Sequence, residues 1–183
     1  MKHCGTQRLE TDRLILRRYV NEDAVAMYKN WASDKEVTKF LMWQAHSSQE
    51  VSQGVTDDWV NQYSNENYYH WAIVLKDNGD EPIGDIAVVD IKENISMVHI
   101  GYCIGRNWWH RGIASEALKA VMDFLFDAVD VNRIEARHDP RNPNSGKVMK
   151  KCGMKYEGTL CSSDWNNQGV CDACYYALLR SER

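Results

Sequence analysis

The amino-acid sequence predicts a single α/β domain over residues 1–183, built on a mixed sheet, and three observations lead there. The length, 183 residues, is that of one compact domain and allows a sizeable core. The apolar pattern switches between a period of two and a spacing of three to four along the chain. No internal repeat or linker-like stretch divides it.

Arg13 to Tyr19 alternates apolar and charged residues, as a half-buried strand does. Asn21 then offers an N-cap to a helix through about Trp31, with Asp23 in the first turn, where the helix dipole favours an acid. Ser47-Ser48-Gln49-Glu50 has capping-box spacing and opens a second helix to about Tyr63. From Tyr68 the period becomes two, with Tyr69, Trp71 and Ile73 alternating with His70, Ala72 and Val74, and Asp77-Asn78-Gly79-Asp80 supplies a turn. Pro82 to Asp90 and Ile95 to Ile104 read as two further strands of an antiparallel meander. After Gly112 the residues Ile113, Ala117, Leu118, Val121, Phe124, Leu125 and Ala128 fall on one face of a long helix. Arg133 to His138 is a strand, Asn144 to Cys152 a short helix closed by Gly153, and Lys155 to about Leu160 a strand. Asn166-Asn167-Gln168-Gly169 turns the chain into a last strand, Val170 to Leu179.

Composition excludes several classes of protein. With 44% hydrophobic residues the chain is too apolar for disorder, and no apolar run approaches the ~20 residues of a membrane span. The amino terminus, Met1-Lys2-His3-Cys4-Gly5, lacks the apolar core of a secretory signal, so a cytoplasmic protein with its six cysteines as thiols is expected. A net charge of -4 argues against direct nucleic-acid binding. That mean is uneven: residues 104–155 hold ten Lys and Arg against six Asp and Glu, a net of +4, which leaves -8 for the rest. A basic half inside an acidic chain points to an anionic ligand held locally.

The stretch richest in chemistry is Ile100-Gly101-Tyr102-Cys103-Ile104-Gly105-Arg106-Asn107-Trp108-Trp109-His110-Arg111-Gly112-Ile113-Ala114-Ser115. A strand leads through a loop carrying Arg106, His110 and Arg111 into a helix whose first residues are small. Free amides and the positive helix end make an anion site there, and small side chains allow a pyrophosphate to approach.

Residues 100–118 resemble the acetyl-coenzyme A segment of the GNAT N-acetyltransferase superfamily, whose pattern Gln/Arg-x-x-Gly-x-Gly/Ala is met by Gly112 and Ala114 but has Trp109 in first position. An aromatic there is usual in the RimJ/RimL-like branch. That branch is also resembled by Thr11 to Arg17, Asn21 to Ala24, Ile83-Gly84, Asn132 to Arg137, Asn142 to Met154 and Glu157-Gly158. The likeness covers nearly the whole chain and is weakest from Ala32 to Asn67. It implies a GNAT-type fold of about seven mostly antiparallel strands and about four helices.

The resemblance also implies a site. Tyr102, Cys103 and Ile104 would hold the pantetheine and acetyl groups like an added strand. Trp109, His110, Arg111, Gly112, Ile113, Ala114 and Ser115 would take the pyrophosphate, Asn144 the pantetheine arm, and Lys147 or Lys151 a phosphate, unless these lysines simply solvate a helix face. Many members place a Tyr, as acid to the departing sulfur, where this chain has Met149; the RimL-like branch uses instead the Ser after the Asn, here Ser145. Asp164 lies in the stretch where the branch carries its base, one carbon shorter than the usual Glu, and reads equally as a turn acid. Trp31, Trp43 and Trp59 lie in the acceptor-side region, where with Glu36, Asp57 and Asp58 they would cradle a cationic amine or else form core.

Cys171 and Cys174 form a C-x-x-C, but residues three apart on a strand face opposite ways and cannot grip one ion, so no metal is expected. Cys103 lies on the implied acetyl-binding strand, where alkylation would block the groove. The expected activity is acetyl-CoA-dependent N-acetyl transfer, by direct attack, to a protein N-terminal amine, that of a ribosomal protein included. The alternatives are a small cationic amine as acceptor (a polyamine or an aminoglycoside), which the acidic remainder favours, or a catalytically weak coenzyme-binding module. No membrane partner is expected, and a homodimer is left open.

Overall fold

The computed structural model describes residues 1–183. Eight strands form one sheet: β1 (Leu9–Glu10), β2 (Leu14–Arg17), β3 (His70–Leu75), β4 (Pro82–Lys92), β5 (Met97–Ile104), β6 (Arg133–His138), β7 (Lys155–Asn166) and β8 (Gly169–Leu179). Their spatial order is β1-β2-β3-β4-β5-β6-β8-β7. Every neighbouring pair is antiparallel except β5 and β6, which the crossover helix α4 (Ile113–Asp127) joins in parallel. The mixed α/β sheet expected from the sequence is thus present with one strand more, the two-residue β1.

The helices cover both faces. On one side lie α4 and α5 (Pro143–Lys151), packed over a core that includes Leu14, Trp71, Ile100, Leu118 and Val121. On the other lie α1 (Asp23–Met27), α2 (Lys35–Thr38) and α3 (Gln49–Gln62), over a smaller core around Tyr19, Met27, Trp31 and Val37. Sandwiched between these layers, β3 is buried from His70 through Val74, so its alternation in sequence does not become an exposed face. Trp31 is wholly buried, and Trp43 and Trp59 pack against its cluster, so these aromatics serve the core.

Several boundaries differ from expectation for local reasons. Asn21 is not the N-cap of α1; its amide donates to Asp57 on α3, and the cap position is Glu22, without a side-chain bond. Asp23 accepts instead from the backbone of Val20 and from Arg17, whose guanidinium it meets at 2.7 Å with both side chains mostly buried. The helix turns into a π-helical segment, Tyr28–Ala32, because Tyr28 O accepts from both the backbone and the hydroxyl of Ser33. The short α2, absent from the sequence reading, is started by Asp34 accepting from Glu36 N. Ser48 sits at the N-cap of α3 but its hydroxyl makes no cap bond. Ala128, expected on the buried face of α4, is its exposed C-cap. β7 runs on to Asn166 because β8 pairs with it beyond the irregularity between Leu160 and Asp164.

The two strands that carry the cleft are held apart by a short register. β5 pairs with β6 only through Met97↔Arg133, Val98↔Ile134 and His99↔Glu135. Beyond that point β5 continues to Ile104 paired only to β4, and β6 continues to His138 paired only to β8. A wedge opens between them, and one backbone edge of β5 is left free in it.

Gly84 sits on β4 opposite Ile104, and a Cβ there would lie 2.4 Å from Cys103 O and 2.8 Å from Ile104 Cα, backbone atoms that cannot yield without moving β5. Gly84→Ala is expected to destabilise the fold by about 2 kcal/mol. Gly54→Ala, in the exposed middle of α3 with nothing near its Cβ, should instead gain up to about 1 kcal/mol. Thermal unfolding of the two variants measures the contrast.

Candidate active site

A cavity of about 450 Å³ fills the wedge and runs to the start of α4. Tyr102, Cys103 and Ile104 line it from β5, and Asn144, Ser145, Lys147 and Lys151 from α5. Trp109, His110, Gly112, Ile113, Ala114 and Ser115 line it from the loop and first turn that follow β5. The far wall, Glu36 to Leu41, comes from α2 and the residues after it. Lys39, Arg141, Lys147 and Lys151 are cationic against the single carboxylate of Glu36, which favours an anionic occupant.

The start of α4 is built to present amides. Gly112, its N-cap, has φ +76, a left-handed conformation natural to Gly, and His110 before it has φ 60. No side chain caps the helix, and the first intrahelical bond is Glu116 N to Gly112 O, which leaves the amides of Ile113, Ala114 and Ser115 free of helical partners. Lys151 Nζ and Arg13 Nη2 lie within 3.5 and 3.7 Å of where a Gly112 side chain would start. Glu116 in the first turn is neutralised by Thr11 and Arg13, and those hydrogen bonds hold its carboxyl below the usual range. Arg111, expected to take the pyrophosphate, does not line the cavity; its carbonyl accepts from Arg13 and its side chain is exposed. Arg13 stands beside the cradle instead, and the sequence reading did not single it out.

Trp109 closes the end of the wedge, its indole N–H donating to Ile104 O at 2.8 Å. This occupies the carbonyl of Ile104, so Tyr102, two residues back on the same edge, keeps its backbone N–H and C=O free, while those of Cys103 between them face β4. Gly105, next along, admits the π-helical turn, since a Cβ there would meet Asn30 O at 2.4 Å.

α5 brings Ser145 to the wedge. Pro143 fits its first turn, and the loop before it is fixed by buried Asp139, which accepts from the backbone and side chain of Arg141 and from Asn166 Nδ2 on β7. The Arg141 guanidinium holds the Asp139 carboxyl well below the usual carboxylate range. Tyr102 reaches across the wedge, its hydroxyl 3.0 Å from Ser145 O and 3.1 Å from Ser145 Oγ, and burial pushes the phenol up. Met149 is packed in the core and contributes no polar group.

Asp164 is placed elsewhere. It does not line the cavity, and Arg137 takes both its oxygens, at 2.5 and 3.4 Å, while Trp165 N donates to one of them. Arg137 also lies 3.4 Å from Nε2 of His99, whose pKa falls to about 4 through burial and the guanidinium charge. His99 is therefore neutral at pH 7. Cys171 and Cys174 make separate contacts, with Asn166 and Thr159, and no three His, Cys, Asp or Glu side chains gather as a metal site would require.

The chain matches the family model described as an acetyltransferase (GNAT) domain over residues 13–155. It belongs to the GNAT acetyltransferase family. The N-acetyltransferase p20 of Bacillus licheniformis is 31% identical to it over 96% of this chain and 98% of its own. The alanine N-acetyltransferase of ribosomal protein uS5 from Escherichia coli (strain K12) is 25% identical over 82% and 79%. Among solved structures RimL, described as a ribosomal L7/L12 α-N-protein acetyltransferase in complex with coenzyme A, shares the GNAT fold at a TM-score of 0.84 and 20% identity, with 94% of this chain and 98% of that one covered. No helix is long and apolar enough to cross a membrane.

Tyr102→Phe removes one hydroxyl and both its links to Ser145. A hydrogen bond of about 1 kcal/mol corresponds to roughly a fivefold fall in kcat, with coenzyme affinity little changed. Steady-state kinetics alongside coenzyme titration check it; an unchanged kcat would show that Ser145 does not depend on Tyr102.

Proposed function

We propose that this GNAT enzyme transfers an acetyl group from acetyl-CoA to the α-amine of a protein chain, by direct attack of the amine on the thioester. The observation that carries this reading is the meeting, in one cavity, of the free edge of β5 and the uncapped start of α4. The residues fit the coenzyme. Free amides at Ile113, Ala114 and Ser115, with Lys151 and Arg13 beside Gly112, suit a pyrophosphate, and Tyr102, whose backbone N–H and C=O face away from β4, offers them to a pantetheine arm. Asn144, Lys147, Trp109 and His110 complete the walls of that path.

Acetyl-CoA supplies a thioester already activated for acyl transfer. Ser145 donates its hydroxyl to the departing sulfur, and Tyr102 holds Ser145 in place. A thiol with a reference pKa near ~8.5 is a fair leaving group, so a hydrogen bond suffices without full proton transfer. The acceptor must lose a proton, and here the two amine classes differ. Neutralising an α-amine of pKa ~8 at pH 7 costs about 1.4 kcal/mol, against ~4.6 for a lysine of pKa ~10.4. Asp164, bound by Arg137 away from the cavity, anchors that arginine and is not the proton acceptor in this reading. A site with so little exposed base favours the α-amine, as do the E. coli relative's action on an alanine of uS5 and the fold shared with RimL.

The test is a panel of peptides with free or blocked amino termini, with polyamines beside them, incubated with acetyl-CoA while thiol release and product mass are followed. Acetyl should appear on free α-amines; turnover of polyamines alone would replace the acceptor class, and no turnover on any amine would overturn the reading. Ser145→Ala should lower kcat about 100-fold while leaving coenzyme affinity nearly intact. Full activity in that variant would remove Ser145 from the mechanism.

A further inference from the structure

On the opposite face of the sheet from α4 and α5 lies a line of polar groups that the chemistry above leaves unused. Asp85 on β4 stands directly across from Cys103 on β5. Cys103 Sγ is 2.6 Å from Asp85 Oδ1, and His70 Nε2, from β3, is 2.9 Å from Asp85 Oδ2. His70 Nδ1 is 3.0 Å from the hydroxyl of Tyr68. With Asp85 ionised, His70 carries its proton on Nε2 and accepts from Tyr68 on Nδ1. The thiol and the imidazole therefore both donate to one carboxylate.

The surroundings hold this line in place. Trp59 packs against His70 in a tilted arrangement, 4.0 Å between ring centres, and Tyr19 packs against both rings. The other titratable groups facing it are the hydroxyl of Tyr19, bonded to Gly84 O, and that of Tyr63, which donates to His70 O. Neither takes an oxygen of Asp85, whose side chain is 17% exposed and so retains contact with solvent. Burial, and then the Asp85 charge, push the Cys103 thiol well above its usual value, so it stays protonated and is no nucleophile. Cys103 also lines the cavity, so this line ends at a residue of the cavity wall.

We propose that Cys103 and Asp85 carry away the proton of the attacking amine. The proposal rests on the acetyl-transfer reading given above. As the amine nitrogen bonds the thioester carbon, one N–H proton passes to Cys103 Sγ while the Cys103 S–H proton passes to Asp85 Oδ1. Cys103 ends as it began, a thiol; Asp85 ends as a carboxylic acid and returns its proton to water after the amide leaves. No electrons change hands beyond the N–C bond formed and the C–S bond broken. Cys103 is the catalytic residue of the pair, and Asp85, with His70 and Tyr68 fixing its carboxylate, acts through it.

Four variants test this with the best peptide acceptor, each checked for thermal unfolding and coenzyme affinity. Cys103→Ala should lower kcat/KM about 100-fold at pH 7 and close that gap on the parent as rising pH lets hydroxide take the proton instead, while Cys103→Ser, which keeps a transferable proton, should stay within about fivefold of the parent. Asp85→Asn should show the same loss and the same recovery at high pH. Glu36→Gln, which alters the one carboxylate lining the cavity, should keep the parent's pH dependence whatever its effect on acceptor KM. Equal rates for Cys103→Ala and Cys103→Ser, an unaltered pH profile in Asp85→Asn, or a loss confined to Glu36→Gln would each overturn the proposal. Should Asp85→Asn not fold, the comparison of the two Cys103 variants decides alone. A parent enzyme that acetylates no amine would instead refute the acetyl-transfer reading itself.

Discussion

The parting of β5 from β6 after three residue pairs is the constraint on which the rest of the site depends. Backbone groups stripped of a strand partner must be satisfied by something else. Here the outer edge of β5 stays saturated by β4, so the wedge costs the sheet little while leaving the backbone groups of Tyr102 on its open edge. The helices then follow. α4 leaves the end of β5 and α5 leaves the end of β6, so both amino termini converge on the mouth of the wedge. Asp139, bonded to Arg141 and to Asn166, ties the second of these turns to the β7–β8 hairpin and keeps α5 from drifting.

Charge is divided to match this geometry. The chain carries -4 overall, yet four cationic side chains face the cavity against one acid. Many of the acids are engaged with cations elsewhere: Asp23 with Arg17, Asp139 with Arg141, Asp164 with Arg137, Glu116 with Arg13. Neutralised pairs exert little field at a distance, so Lys147 and Lys151 are left to dominate the anion-facing wall.

The two faces of the sheet have different chemistry because β-strands send successive side chains opposite ways. Tyr102 points toward α5 and Ser145, while Cys103 points toward Trp31, Trp59 and the half-buried carboxylate of Asp85. One short stretch of strand thus presents different side-chain chemistry to the two faces of the sheet. Aromatic packing around His70 keeps the second face rigid, which suits groups that must hold a fixed separation.

The periodicity of the sequence was enough for the mixed sheet, the amphipathic α4 and the bounds of β6, because those depend on which face of an element is apolar. The small residues Gly112, Ala114 and Ser115 after a basic loop fall at the uncapped start of α4, and Ser145, to which the family resemblance pointed, lines the same cavity. Local pattern failed where a distant partner decides. Asn21 looks like a cap but is claimed by Asp57, 36 positions along, and Asp164 looks free until Arg137 is folded against it. Arg13 reaches the cradle only because β2 lies beside the start of α4, and Asp85 meets Cys103 only through the register of β4 with β5. Sequence by itself therefore determined the main strands and the long helices, since their apolar pattern is set by neighbours a few positions away, but not β1, α2 or the π-helical turn. Tertiary structure alone decided which carboxylates are free to act, because a charge is silenced or exposed by side chains that only folding brings within hydrogen-bonding distance.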